Sequence, residues 1–568
     1  MTGSTTPTKE DLDASFQAVE VLCAARGITV TRLGVGNAYD LGVKLKGFTQ
    51  EWDLDVSCKY LDLTRLPPIK LRLPSGLLPH VGYHGTICVS DGHGLSLDPN
   101  RFPEIVAFTV LAAYDLLEKW SSDPVVSTKE FYNELEGYWL GLPSSEQARA
   151  TIDVDREDRL VSVYLNSQVK PQRWYIAERD QKLPWEFETK KLAPHRGLYV
   201  HLDEPVPPPA FPAKLDSTFI EAVLAKLSPA QKDLWSRLVG PSKNGPKQLA
   251  LLVSTPRDAG GRSIVGTVFG ARDGQIDSRQ PMTPLTVRRH TPAYMRERGG
   301  ASPDLYNKHI VVIGCGSVGS IIADTLASSG IGRLTLVDPD TYSEDNVFRH
   351  TLDPAWIDYH KITGLQYLFE RHYPGIQVQG LPMYGQEWLA QSSLDDVDAI
   401  VFALGLPTLE RAFCRQLRSN KKRLPMLFTW LDPLDLGGHS ISVWSEGAGC
   451  LDCLYRDDEG LPSLSARTSF LGPDQSVSKN LTGCYSTFVP YGALQARRTG
   501  LMATEHLLSA LHEEDGAEYR YWVGDGKTAK DQGLRATAWW EEARSVSHAD
   551  ATTRVFGRPC KYCRGGAA

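Results

Sequence analysis

A glycine-rich hexapeptide, four paired cysteines and two further thiols are the residues of this chain whose types and spacing can do chemistry. GCGSVG, Gly314 to Gly319, follows the apolar run His309 to Ile313 and opens a helical stretch that continues through Ser320 to Ser329. Gly314, Gly316 and Gly319 let the backbone approach a phosphate at a helix N-terminus. Asp338 ends the next apolar run, about 20 positions on, where an acidic side chain can hold a ribose hydroxyl. The pattern predicts a mononucleotide or dinucleotide site. Cys450-x-x-Cys453 and Cys560-x-x-Cys563 are two knuckles whose four thiolates would satisfy tetrahedral Zn2+ and leave no open position, as in a structural site. Two such pairs match a metal better than a redox motif. Cys484 precedes a helix expected to begin near Tyr491, and a thiol close to a helix N-terminus can be an activated nucleophile. Cys88 is the second single thiol to consider, in the stretch Leu66 to Gly92.

These residues must be carried by several domains, since 568 residues at about 150 per domain suggest three or four. Hydrophobic residues at 42% and charged residues at 23% describe a soluble globular chain, and disorder as the main state is excluded. A formal charge of −7 supplies no basic stripe for phosphate backbones, so nucleic acid is not an expected partner. The opening MTGSTTPTKEDLD is polar and acidic, unlike a secretory leader. Glu104 to Leu117, the most apolar stretch, is broken by Tyr114 and Asp115 and is shorter than the about 20 residues a membrane helix needs. A cytoplasmic protein with no membrane segment is expected, and its ten cysteines read as thiols, metal ligands or core residues, with Cys23, Cys58, Cys315 and Cys414 as interior thiols.

Residues 1–148 run from an amphipathic helix, Leu12 to Arg26, through strands at Lys44 to Phe48 and Trp52 to Ser57, to a helix at Glu104 to Trp120, a small α+β domain. Residues 149–295 alternate strands (Leu160 to Tyr164, Leu249 to Val253, Ile264 to Phe269) with a helix from Thr218 to Leu227, and Pro205 to Pro212 is an extended connector. GPSKNGPK, Gly240 to Lys247, has Pro246 where a phosphate loop needs lysine and is discounted. From 296 to 568 the repeated order of strand, turn and helix indicates a mostly parallel, Rossmann-type α/β sheet.

The residues after Asp338, DPDTYSEDNVFRH, resemble the ATP-binding signature of the ubiquitin-activating, ThiF and MoeB superfamily, and the resemblance spans most of 296–568. It implies that Asp338 holds the ATP ribose, that Asp340, Asn346 and Arg349 contact nucleotide and phosphates, and that Lys361 approaches the phosphate chain. Arg349 and Lys361 would then stabilise charge as a carboxylate attacks the α-phosphorus. It also implies Mg2+ beside ATP, zinc on the four knuckle cysteines and Cys484 as the thioester cysteine. One departure is visible. The superfamily commonly carries a magnesium-handling Asp at the end of a later strand, where Leu406 stands here, so Asp340 is the alternative carboxylate. Arg296 or Arg298 could serve as the arginine that a partner subunit contributes.

The stretch around Cys88 resembles the active site of ubiquitin-conjugating enzymes: Leu78-Pro79-His80 falls where that family has His-Pro-Asn, and Gly85-Thr86-Ile87-Cys88 where it has Gly-x-Ile-Cys. By this resemblance Cys88 is the nucleophile, and His80 replaces the Asn that supports the oxyanion, its ring N–H able to donate the same kind of bond. His84 and His93 read as exposed loop residues. The two halves together are similar to the CD-NTase-associated ubiquitin-transferase-like family of type II CBASS antiphage operons. That likeness implies adenylation of a protein C-terminal glycine, a thioester on Cys484, transfer to Cys88 and conjugation to a target amine. It further implies a cGAS-like nucleotidyltransferase tail as substrate, a homodimer, and an inactive adenylation-like middle domain. Sulfur-carrier activation, which needs no Cys88, is the alternative within the superfamily. A nicotinamide dehydrogenase, which Asn346 and Arg349 disfavour, and a non-catalytic nucleotide-binding scaffold come from other classes.

Overall fold

A computed structural model of the chain describes residues 7–35, 40–46, 50–58, 65–74, 76–168, 173–179, 181, 194–240, 247–272, 274–419, 422–457, 459–480, 487–512, 516–558 and 560–564. They gather into two compact units, Met1–Thr291 and Pro292–Ala568. None of the described helices is long and apolar enough to cross a membrane.

The first unit holds two sheets. Its first helix, Lys9–Ala24, is started by a reciprocal capping box between Thr8 and Asp11, which satisfies two amides the helix leaves open. A five-stranded antiparallel sheet follows in chain order: Thr29–Leu33, Leu41–Lys46, Glu51–Val56, Ile69–Leu71 and Thr86–Ile87. Val43, Leu45, Leu54 and Val56 bury one face of it with Val106, Val110 and Leu117 of the helix Phe102–Ser122. The short last strand matters most, because it delivers Cys88 at its end.

The second sheet has eight strands, and Lys247–Pro256 pairs both with His195–His201 and with Arg262–Arg272, so the sheet closes on itself. Its pairs are mostly antiparallel, and the helices Ser217–Lys226 and Pro229–Val239 pack on one face beside Trp139 and Leu198. The Pro-rich connector 205–212 contains no helix or strand. Residues 241–246 of the discounted phosphate-loop lookalike lie outside the described residues.

In the second unit seven strands lie in the order Gln377–Leu381, Arg333–Val337, His309–Ile313, Ala399–Phe402, Pro425–Asp432, Gly437–Trp444 and Glu518–Val523. The first five are parallel, Gly437–Trp444 runs against them, and Glu518–Val523 pairs antiparallel with Gly437–Trp444 and so runs with the five. The central strand His309–Ile313 is buried throughout, as a strand covered by helices on both faces must be. Chain order reverses between it and Ala399–Phe402. In open α/β sheets that reversal opens a crevice at the carboxyl ends of the strands, where ligands bind. The GCGSVG turn sits at that point.

Candidate active sites

The three glycines of the turn have three different jobs. Gly314 has φ +89°, and a Cβ there would lie 2.8 Å from the Ala403 carbonyl oxygen. A Cβ on Gly319 would lie 1.8 Å from the Gly314 carbonyl oxygen, so only glycine lets the helix Ser317–Ser329 close onto the strand. A Cβ on Gly316, by contrast, would meet nothing within 4 Å. Gly316 caps the helix N-terminus and faces open space, where a phosphate would find unpaired amides and the positive end of the helix dipole.

Two buried side chains brace this turn. Asp338, 5% exposed, accepts from the Cys315 amide at 2.6 Å and from the Asp340 amide at 2.8 Å. Burial raises its pKa, and Lys361 and the two amides work against that rise. His350 has Nε2 2.8 Å from the Cys315 carbonyl oxygen, and its Nδ1 accepts from the Leu352 amide at 3.1 Å. These partners require a neutral ring protonated on Nε2, consistent with a pKa that burial pushes down to about 4.

The cations flank this frame. Lys361, 6% exposed, begins the helix Lys361–His372 and reaches Asp340 Oδ2 at 2.7 Å. Arg349 lies over the Tyr491 ring at 4.8 Å, and its buried Nε has no hydrogen-bond partner among the described residues. A buried donor left open costs free energy unless a ligand takes it. Arg349, Gly316 and Ser317 line one cavity of about 770 Å³. Glu410, Thr429 and Asp432 line it too. Asn346 accepts from the Ser343 amide at 3.2 Å with its side-chain oxygen.

The knuckle cysteines converge as their spacing suggests. Cys450 and Cys560 Sγ are 3.5 Å apart, Cys453 and Cys563 3.5 Å, and Cys560 and Cys563 3.6 Å. Sulfurs bonded to one tetrahedral zinc at about 2.3 Å lie about 3.8 Å from each other, so the four thiols fit that ion. Asp452, 4% exposed between the first pair, takes Arg411 and Arg415, and Arg415 stacks on Tyr562 of the second knuckle at 4.4 Å. Ionic and aromatic contacts thus tie the two knuckles together beside the four thiols.

In the first unit Cys88 is the one exposed thiol among the described residues. Its amide donates to the His80 carbonyl oxygen at 2.8 Å, and both residues line a cavity of about 1010 Å³. Gly85, φ +85°, makes the preceding turn possible, since a Cβ there would lie 2.2 Å from the Leu71 carbonyl oxygen. His80 itself adopts φ +59°. Its amide donates to Glu134 Oε2 at 2.8 Å, its Nδ1 lies 2.8 Å from Glu134 Oε1, and its Nε2 lies 3.9 Å from Glu130. The hydrogen bond to Glu134 raises the imidazole pKa, and the bonds from His80 outweigh burial to hold the Glu134 carboxyl below its ordinary value. The imidazole is therefore anchored to the helix Pro124–Asn133 and the residue that follows it. Four other thiols are buried, and burial raises them: Cys23 up to about 11, Cys58 and Cys414 up to about 12, and Cys315 well above its ordinary value.

Residues 293–538 match the family model described as ThiF family. The chain carries a ThiF-family domain. The chain is also similar to the ATP-dependent ubiquitin transferase-like protein Cap2 of Pseudomonas aeruginosa, 25% identical over 217 residues that cover 37% of each chain. The Cap2 of Escherichia coli is 26% identical over 248 residues, 42% of this chain and 41% of that one. The matches thus span about two fifths of these relatives' length. A crystal structure of E. coli MccB with ATP overlaps 41% of this chain and 63% of that one, at 14% identity and a TM-score of 0.29.

Within the ThiF-family domain Gly316 and Arg349 line one cavity, Asp338 braces the turn through the Cys315 amide, and Lys361 reaches Asp340, whereas Cys484 lies outside the described residues. Sequence reasoning missed His350, Glu410 and Tyr491. His350 stands at the end of the DPDTYSEDNVFRH stretch, and that position was its only signal. Glu410 and Tyr491 reach the crevice from distant parts of the chain.

Proposed function

We propose that this protein activates the C-terminal carboxylate of a protein substrate with ATP and passes it through a thioester on Cys484 to Cys88, for conjugation to an amine. The observation that carries this reading is the presence in one chain of a ThiF-family glycine turn and of Cys88, the one exposed thiol among the described residues, set in its own cavity.

The Gly316 amides, Arg349 and Lys361 bind the phosphates, and their charge offsets what builds up as the carboxylate oxygen attacks the α-phosphorus and pyrophosphate leaves. Asp340, its side chain 64% exposed and only one oxygen engaged by Lys361, is an oxygen donor of the kind a hard divalent ion takes and would hold the Mg2+ that accompanies ATP. The Cys484 thiolate then displaces AMP, Cys88 displaces Cys484 in a thioester exchange, and the target amine attacks the Cys88 thioester to give an amide and free thiol. Fusing both thiols in one chain raises their effective concentration. Cys450, Cys453, Cys560 and Cys563 would hold a structural Zn2+, which would tie the second knuckle to the first. By similarity to the Cap2 relatives, the reading extends to a cGAS-like nucleotidyltransferase tail as substrate, an antiphage setting and a homodimer, with 149–295 as an inactive adenylation-like domain.

ATP–pyrophosphate exchange tests the first step. Arg349→Ala is expected to lower the carboxylate-dependent rate by about 100-fold or more. An unchanged rate would remove Arg349 from the reaction.

A further inference from the structure

Residues 80–88 form a short hairpin. The Cys88 amide and the His80 carbonyl join its ends, Val81 and Ile87 bridge across it, and the Gly85 amide closes the tip by donating to the Gly82 carbonyl oxygen at 2.7 Å. Val81 and Ile87 pack into the core of the five-stranded sheet. Tyr83, at the tip, packs elsewhere. It is 2% exposed, and it belongs to the core that the eight-stranded sheet shares with the helices on its face.

The Pro-rich connector and the residue after it meet Tyr83 there. The Tyr83 hydroxyl donates to the Ala213 carbonyl oxygen at 2.9 Å, and its ring stands edge-on to Phe211 with centroids 5.6 Å apart. Tyr138, which lines the Cys88 cavity, donates to the Pro209 carbonyl oxygen at 3.0 Å and meets Tyr83 edge-on at 6.0 Å. Buried phenols need acceptors, and a segment with no helix or strand of its own has carbonyls free to supply them.

A second part of the cavity wall is held from the same core. Glu134, which fixes the His80 ring, stands in sequence between Phe131 and Leu135, both members of that core. Just beyond it Glu136 accepts from the Ile264 amide at 2.8 Å, and the buried Trp139 donates from its indole to the Gly266 carbonyl oxygen at 3.0 Å. Ile264 and Gly266 both lie on the strand Arg262–Arg272. Through Tyr83 and Glu134, the hairpin that carries Cys88 and the ring that faces it share one support.

We propose that the eight-stranded sheet and its Pro-rich connector are the positioning platform of the Cys88 site, with Tyr83 and Phe211 as the positioning residues that set a Cys88 thioester for attack. This rests on the Cys88 reading and extends it, because it gives residues 149–295 a part in the conjugation step. A hairpin held at base and tip keeps one geometry, and a misplacement of about 1 Å at a reacting centre can cost about 100-fold in rate.

The test loads Cys88 of the full-length protein without ATP, from a glycylglycine benzyl thioester, and maps the adduct by mass spectrometry. The Cys88 thiolate takes the acyl group and benzyl thiolate leaves. Free lysine then attacks the new thioester, an amide forms, and the released Cys88 sulfur takes up the proton the amine gives off. Discharge is followed over a range of lysine concentrations. Tyr83→Phe and Phe211→Leu are expected to lower its maximal rate by about fivefold or more with the lysine KM within about twofold, and Phe211→Tyr, which keeps the aromatic edge, to restore it. Leu252→Val, in the core on the other face of the sheet, is expected to lower the melting temperature and leave discharge unchanged. Unchanged discharge in Tyr83→Phe and Phe211→Leu, a change confined to KM, or equal slowing in Leu252→Val overturns the platform and leaves Cys88 as the carrier. Discharge from wild-type Cys88 no faster than from acylated N-acetylcysteine overturns the Cys88 reading and the platform with it.

Discussion

The Nδ1 of His80 and the Oε1 of Glu134 lie 2.8 Å apart, and the second oxygen of the same carboxylate accepts the His80 amide. One glutamate therefore fixes both the ring and the left-handed backbone of the residue whose carbonyl holds the Cys88 amide. Because the folded imidazole pKa is raised, this pair stabilises the protein below the ordinary imidazole range, and that contribution is lost as pH rises through the raised value. Glu134→Gln is expected to move the His80 titration, followed by NMR, back down and to slow discharge of a Cys88 thioester to free lysine. An unshifted titration would mean that Glu134 does not govern the ring.

Gly319 and Gly316 separate folding from binding. Gly319→Ala drives a Cβ into the Gly314 carbonyl and is expected to destabilise the ThiF-family domain by about 3 kcal/mol. Gly316→Ala meets open space, so its melting temperature stays near wild type while ATP affinity, measured calorimetrically, falls. Equal loss of stability in both would contradict the division of roles.

His350 and Glu410 pull stability in opposite directions over one pH range. Burial holds His350 down to about 4, against an ordinary 6.5, so its contribution is lost as pH falls through that window. Glu410 is held up to about 7, against an ordinary 4.5, so its contribution is lost as pH rises. Glu410→Gln removes the falling component, and thermal melts of the variant are expected to gain stability from about pH 5 to about pH 7 more steeply than wild type. An unaltered slope would contradict this placement of the carboxyl.

The four knuckle thiols predict one zinc per chain by elemental analysis. Cys453→Ser or Cys560→Ser should abolish binding and lower the melting temperature of the ThiF-family domain, as chelation should in the wild type. Full metal content in either variant would rule the site out.

Local features were the legible ones. Gly314 to Gly319 and the cysteine knuckles declare themselves because their function needs fixed residue types at fixed spacing within a few positions. The strand His309–Ile313 has the bounds expected of it, and the helix Ser317–Ser329 begins earlier than Ser320 only because its first turn is part of the glycine loop. Glu410 was invisible because its role is to accept amides of a loop that precedes its own helix, and a lone Glu in the first turn of a helix looks like a dipole partner. The middle stretch yielded three strands of a sheet that has eight, since short strands joined in mixed directions leave little periodic signal.

The relay itself is tested most directly on a non-reducing gel. The full-length protein is incubated with ATP, magnesium and the C-terminal tail of the product of a neighbouring gene, and the adduct is mapped by mass spectrometry. An ATP-dependent, reductant-sensitive adduct on Cys88 is expected, lost in both Cys88→Ala and Cys484→Ala. An adduct that persists unchanged in both variants would contradict it.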